Sequence, residues 1–256
     1  MPDSAALDLS VVIITCNEET DLPGCLDSVR ELGAEIVVVD NHSADRTLEI
    51  ARRHTSNVHT RAFNGFAAQK QFALEKASRN WILSLDADER LTPGLAREIK
   101  ALLSGAPLAE SGYEIPFEIH YLGRRLRFGG LGSERHLRLF RKDSGRFSGD
   151  VHEGFSLTGP VGRLSGKIQH YPYRDLDEHL DKLNRYTTMA ARAGLDQGRR
   201  ITPFHHLLPP WVFFVRYVLR LGFLDGRAGL MQAVMAAFTT WTKYMKLAEL
   251  QSRKEP

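Results

Sequence analysis

The sequence predicts an α/β fold: a Rossmann-like, mostly parallel sheet flanked by helices, followed by a C-terminal helical appendage. Three observations carry this. First, β-branched apolar runs without strict alternation recur through the first hundred residues: "LSVVIITCN", "AEIVVVDN", "NVHTRAF" and "WILSLDADE". Strands of that kind are covered on both faces. Second, each run is followed by a stretch with helical spacing, the order that brings successive strands together in parallel. Third, beyond Asp175 the strand pattern gives way to helices.

The elements follow in order. The first run ends at Asn17, and a helix is expected from about Thr20 to Leu32. The second run leads into "SADRTLEIARRH", a helix with capping residues at its start. The third precedes "GFAAQKQFALEKAS", and the fourth precedes a helix from Pro93 to Leu103 with proline in its first turn. From Ala106 to about Tyr173 the pattern changes. "GYEIPFEIHYLG" and "RHLRLFRK" read as strands with glycines punctuating the loops. "DLDEHLDKLNRYTTMAARAG" is one helix, and a proline-rich connection leads to two more around Gly222–Gly226. The expected division is 1–105, 106–174 and 175–256.

Composition narrows the classes. With 43% hydrophobic and 25% charged residues, the 256-residue chain is globular rather than disordered. A net charge of +3 gives no argument for a nucleic-acid partner. Its distribution is uneven, with +6 falling on Arg199–Pro256 and −3 on the remainder. Cys16 and Cys25 sit at a strand end and in the next helix, a poor disulfide arrangement and no metal motif. They read as reduced thiols of a cytoplasmic protein. "MPDSAALDLS" lacks the pattern of a signal peptide. The most apolar stretch, 206–224, is interrupted by Pro209, Pro210, Arg216 and Arg220, which argues against a simple span.

In open α/β sheets ligands bind beyond the carboxyl ends of the strands. Three of those ends are polar here: Thr15, Asn17 and Glu18; Asp40, Asn41 and Ser43; Asp86, Asp88 and Glu89. Crowded carboxylates repel and are costly to desolvate, so positive charge should sit among them. Residues two apart on an extended segment point the same way. On that premise Asp86 and Asp88 present oxygens to one divalent cation, Mn²⁺ or Mg²⁺. Two turn-forming aspartates at a strand end are the bland alternative.

Taken together, "SVVIITCNEE", "IVVVDNHSADRT", the run from Asn64 through "GFAAQKQFAL", and "WILSLDADE" resemble the nucleotide-binding half of glycosyltransferase family 2, which has the GT-A fold. "RLFR", "VHE" and "GFLDGRAGL" are similar to the bacterial branch that builds the lipopolysaccharide inner core. The resemblance implies an inverting enzyme with a nucleotide-diphosphosugar donor, UDP-glucose first, and a heptose or Kdo acceptor. Thr15, Asn17, Glu18 and Asp40 would then bind the nucleotide, and Asn64 and Lys70 would follow along the donor. Asp88, helped by Asp86, would hold the cation. In "FSGDVHEGF", Glu153 would be the base, with His152 orienting it and Asp150 as the fallback. Where the commonest family sequence has "DDGS", this chain has "DNHS", so His42 replaces a glycine.

Arg138 and Arg141 are candidates for the diphosphate or an anionic acceptor, although a spacing of three keeps them off one face of a strand. The basic, aromatic C-terminal segment is expected to meet an anionic membrane surface, in keeping with a lipid-linked acceptor, or else a second subunit. Three other readings stand beside the transferase. A haloacid-dehalogenase-type phosphotransferase would carry its D-x-D after the first strand. A nucleotidyltransferase would have a glycine-rich first loop where "TCNEETD" stands. A non-catalytic nucleotide-binding module would have no need of the acidic cluster.

Overall fold

A computed structural model describes residues 7–132, 134–148 and 154–253. The chain runs β1 (Leu9–Thr15), α1 (Leu22–Arg30), β2 (Glu35–Asp40), α2 (Thr47–His54), β3 (Val58–Thr60), α3 (Phe66–Lys76), β4 (Trp81–Asp86), β5 (Glu89–Leu91) and α4 (Pro93–Leu103). It continues with β6 (Gly112–Tyr121), β7 (Arg124–Arg125), β8 (Arg135–Arg141), β9 (Gly145–Ser148), β10 (Gly154–Leu157), β11 (Val161–Arg163) and β12 (Ile168–Tyr173). The helices α5 (Leu176–Asp196), α6 (Leu208–Phe214) and α7 (Gly226–Ser252) complete it. A 3₁₀ turn precedes α6, a π turn extends it through Leu219, and a second 3₁₀ turn leads into α7. The strand order is β3-β2-β1-β4-β8-β6-β12-β5.

The chain forms two compact units, Met1–Phe117 with Arg135–His170, and Glu118–Glu134 with Tyr171–Pro256. In the first, β3, β2, β1 and β4 are parallel, as the helix-separated runs predict. Beyond them β8 lies antiparallel to β4, and β6 antiparallel to β8, so the sheet is mixed. Val12, Val37, Val39, Ile82 and Phe140 from the sheet bury with Ala73 and Leu74 of α3. The β9–β10 hairpin closes over this cluster, where Phe155 stacks on Phe140 at 3.8 Å between ring centroids. α4 begins at Thr92, whose hydroxyl accepts from the Leu95 N–H, with Pro93 set where no donor is needed.

In the second unit, the end of β6 turns through Leu122 and Gly123, both at positive φ, into β7. Tyr121 and Leu126 bury against Ala228 of α7. That packing places Glu118–Glu134 with the C-terminal helices, which the expected boundaries at 105/106 and 174/175 do not anticipate. α5 packs along α7 through Ala191, Tyr244 and Leu247. The Lys246 ammonium donates to the Asn184 carbonyl and side chain and to the hydroxyls of Thr187 and Thr188, at 2.6–2.9 Å. Gly229 lets α7 start hard against the preceding turn, since a Cβ there would lie 1.9 Å from the Gly222 carbonyl.

Candidate active site

Parallel register aligns Thr15 with Asp40, so the first two strand tips meet. Asp40 is fully buried. Its Oδ1 accepts from the Thr15 hydroxyl at 2.9 Å and from the Ser43 hydroxyl at 2.5 Å, and its Oδ2 from the Ser43 N–H at 2.8 Å. The Asp40 side chain therefore closes the turn that follows β2. Asn17, at φ 57°, and His42, at φ 47°, sit on the facing loops. Asn17 donates its N–H to Ser43 Oγ and accepts the Ala44 N–H, both at 2.8 Å. The Glu18 N–H donates to Thr47 Oγ1 at 2.8 Å. Asn17 is exposed at the resulting rim, as is Asn64 in the loop before α3.

The crowded carboxylates at the end of β4 have their cations. Lys70, carried inward by α3, lies 2.9 Å from Asp86 Oδ1. Arg138, from β8, lies 3.1 Å from Asp86 Oδ2 and also grips Glu89. Glu89 accepts the Asp86 N–H at 3.0 Å. Its side chain is 1% exposed, that of Lys70 5% and that of Arg138 13%, while that of Asp86 is 33% exposed, so this is a buried ionic cluster open to solvent on the Asp86 side. Burial alone would raise the Asp86 carboxyl, but Lys70 and Arg138 together hold it well below the usual carboxylate range. Burial pushes Glu89 upward against the pull of Arg138, with the Asp86 charge adding to the rise.

Asp88 has a different partner. The backbone turns at Ala87–Asp88 between β4 and β5. The rule that residues two apart share a face needs extended backbone, and here it does not apply. In this structure the two side chains engage different groups, Asp86 holding Lys70 and Arg138 and Asp88 facing His170, and a cation on Asp86 and Asp88 remains a proposal. Antiparallel register sets His170 of β12 opposite Glu89, and His170 Nε2 lies 3.4 Å from Asp88 Oδ2. Burial pulls the imidazole down, but the hydrogen bond and charge of Asp88, with Glu89 and Asp86 behind, raise it overall. The Asp88 carboxylate is a ligand suited to Mn²⁺ or Mg²⁺ completed by water and phosphate oxygens, and a neutral His170 imidazole could join it on Mn²⁺ but not on the all-oxygen Mg²⁺. Among the described residues no group of three or more such side chains could hold a metal by itself.

The arginines separate as their spacing requires. Arg138 reaches the acidic cluster, whereas Arg141 pairs in register with Trp81 at the opposite end of β4. There its guanidinium lies 4.9 Å from the Trp81 ring centroid and donates to the Leu108 carbonyl at 3.0 Å. Arg141 as a diphosphate ligand is thus corrected, because the antiparallel direction of β8 carries it away from the carboxyl ends. Asp150, His152 and Glu153 lie outside the described residues, in the chain joining β9 to β10. The hairpin itself sits on α3, with the Phe147 N–H donating to Gln71 at 3.0 Å, one residue beyond Lys70. Sequence reasoning missed Glu89 as an ion-pair partner and His170 altogether. Glu89 was signalled by its place in "DADE", while nothing local in "IQHYPY" marks His170.

Residues 10–109 match the family Glycosyl transferase family 2. Over 259 aligned residues the chain is 33% identical to the lipopolysaccharide core biosynthesis glycosyltransferase LpsC of Rhizobium meliloti, covering 96% of this chain and 95% of that one. It is 26% identical to an uncharacterized glycosyltransferase of Rickettsia prowazekii, covering 96% and 89%. Among solved structures, the fold is similar to that of the mannosyltransferase PcManGT from Pyrobaculum calidifontis, determined in complex with GDP-Man and Mn²⁺. That match has a TM-score of 0.51 and 17% identity, covering 98% of this chain and 80% of the other.

Proposed function

The chain belongs to glycosyltransferase family 2, and from that premise we propose that it transfers a hexose from a nucleotide-diphosphosugar, UDP-glucose first, to a heptose or Kdo of a lipopolysaccharide core. The acceptor class rests on the similarity to LpsC across nearly the whole chain. The observation that carries the donor side is the charge-balanced cluster at the carboxyl end of β4, with Asp88 and His170 facing each other beside it.

In this reading the rim of Asn17, Glu18 and Asn64 receives the nucleoside. Asp40 and Thr15 hold the loop that forms its wall. Asp88, with Asp86 or His170 beside it, would hold a divalent cation, which when bound would supply positive charge for the departing diphosphate. Lys70 and Arg138 offset Asp86 and Glu89, so an anionic donor meets a cluster that is not net repulsive. Without those two cations the acidic turn would reject the donor it has to bind.

The acceptor oxygen attacks the anomeric carbon from the face opposite the diphosphate. The new C–O bond forms as the old one breaks, inverting the configuration. Glu153 takes the hydroxyl proton, with His152 orienting the carboxylate and Asp150 as the alternative base. The anchoring of the β9–β10 hairpin on α3 supports this, since it ties the loop ends to the helix that carries Lys70.

Calorimetry of the purified protein with UDP, UDP-glucose and other nucleotide-sugars, with and without Mn²⁺, tests the donor half. Binding enhanced by Mn²⁺ is expected, and absence of nucleotide binding under either condition ends the proposal. Product analysis on deacylated core oligosaccharide with the Glu153→Gln variant tests the rest: donor affinity should persist while transfer falls by about 10²–10⁴-fold.

A further inference from the structure

Exposed apolar side chains are concentrated in one part of the second unit. Between Phe204 and Trp241, thirteen large hydrophobic residues are 40–79% exposed, while the first unit exposes only Phe63 and Val161 among its described residues. Phe204, Leu207, Trp211 and Phe214 recur at helical spacing along the first arm. Leu230, Val234, Phe238 and Trp241 do the same along α7. Ring contacts of His205 with Tyr244 and His206 with Trp241 fold the arms into a hairpin. Leu219, Leu221, Phe223 and Leu224 crowd its tip. A contiguous exposed surface of this size marks a binding face.

Charge identifies the occupant. From Gln197 to Ala248 the chain carries seven lysines and arginines and a single acid, Asp225. That acid is turned inward, accepting the backbone N–H groups of Arg127 and Phe128 at 2.9–3.2 Å. Arg199, Arg200, Arg220 and Arg227 are exposed beside the apolar residues. Arg216 and Arg220 lie one helical turn apart, and Arg216 Nη1 is buried without a hydrogen-bond partner among the described residues. Burial and the neighbouring Arg220 disfavour the charged Arg216, and Glu134 offsets only part of that, which leaves room for a further anion. A second copy of this face would set Arg216, Arg220 and Arg227 against their own copies, whereas a layer of lipid phosphates over acyl chains complements both features. No single described helix is long and apolar enough to cross a membrane; Pro203–Leu219 and Gly222–Ser252 reach that length and apolarity only as a pair bent by 72°, a shape that enters a lipid layer tip first.

We propose that the helical hairpin Pro203–Trp241 is a membrane-docking element that inserts its apolar tip into an anionic phospholipid surface, with Arg216 and Arg220 receiving lipid phosphates. Trp211 and Trp241 ride at headgroup depth, where an amphipathic ring has both of its environments. The docking does not depend on the identity of the donor or acceptor sugar.

Co-sedimentation of the full chain with vesicles tests this. Vesicles of phosphatidylglycerol and phosphatidylethanolamine should bind it at least about tenfold more tightly than phosphatidylcholine alone, with the difference reduced by salt. The L219D/L224D variant should lose about tenfold or more in partitioning while keeping the wild-type melting temperature. R220Q should lose about fivefold on anionic vesicles. Brominated lipids should quench the fluorescence of the wild type but not that of a W211F/W241F variant, which retains only Trp81. The proposal is overturned if the wild type stays in the supernatant with anionic vesicles at low salt, or if L219D/L224D partitions as the wild type does. It is equally overturned if the face proves to be a dimer contact, with L219D/L224D abolishing a concentration-dependent dimer and no vesicle binding by either protein.

Discussion

Asp86→Ala is expected to be among the most destabilising single substitutions at the site, more for what it leaves behind than for what it removes. The Asp86 carboxylate is shared by Lys70 at 2.9 Å and Arg138 at 3.1 Å, two cations whose side chains are 5% and 13% exposed. Removing it leaves both in a poorly hydrated pocket, with Glu89 as the remaining carboxylate gripping Arg138. Breaking a fully buried ion pair from one side costs about 3–5 kcal/mol, and the 33% exposure of the Asp86 side chain puts this one at the low end, about 3 kcal/mol. For a chain of this size that lowers the melting temperature by roughly 6–12 °C. Differential scanning calorimetry and urea unfolding measure it. Adding Lys70→Met should recover part of the loss, because the stranded ammonium is gone and a methionine fills much of its volume. A melting temperature within about 2 °C of wild type for Asp86→Ala would show that water reaches Lys70 and Arg138, and the view of a buried ionic cluster would be abandoned.

Asp88→Ala should change the melting temperature little by comparison, because its partner His170 is more solvated. It should abolish the extra thermal stabilisation that Mn²⁺ confers in the presence of UDP, read by scanning fluorimetry. Arg141→Met should leave nucleotide affinity unchanged in calorimetry while loosening the packing on Trp81, since that side chain lies at the far end of β4. His179 gives a pH signature. Burial against Tyr173 and Tyr121, with Lys182 nearby, pushes its imidazole down to about 4 from the model-compound 6.5. The unfolded chain therefore binds the proton first as pH falls. The stabilisation is complete above pH 6.5 and declines toward pH 4, by up to roughly 3 kcal/mol. Urea titrations across that window should show the slope in the wild type and a flatter profile in His179→Phe.

The parts of the molecule legible in the sequence are those set by neighbours along the chain. β1, β2 and β4 announce themselves because a strand buried on both faces needs an unbroken apolar run, and their polar tips follow from the same segments. The need for positive charge near Asp86 was legible from electrostatics, but Lys70 was read as a donor ligand and not as the partner of that carboxylate. What could not be read was register. Arg138 and Arg141 are alike as residues, and only the pairing of β8 with β4 decides which reaches the acids. His170 arrives opposite Glu89 through antiparallel pairing between segments far apart in sequence. The turn at Ala87–Asp88 defeated a rule that presumes extended backbone, and it did so at the two residues on which the functional reading leaned hardest. The grouping of Glu118–Glu134 with the last helices depends on Tyr121 and Leu126 finding Ala228, a match of shapes that no periodicity encodes.

The clasp of Arg138 on Asp86 and Glu89 has a consequence for how substrate gets in. β8 comes from the later part of the chain, and the turn it grips ends β4, so one guanidinium rivets two stretches of sequence together at the carboxyl end of the sheet. A joint fastened that way does not hinge. If the proposed donor binds over it, admission and release fall to loops above a rigid base, and changes in sugar preference can accumulate in those loops without disturbing the foundation.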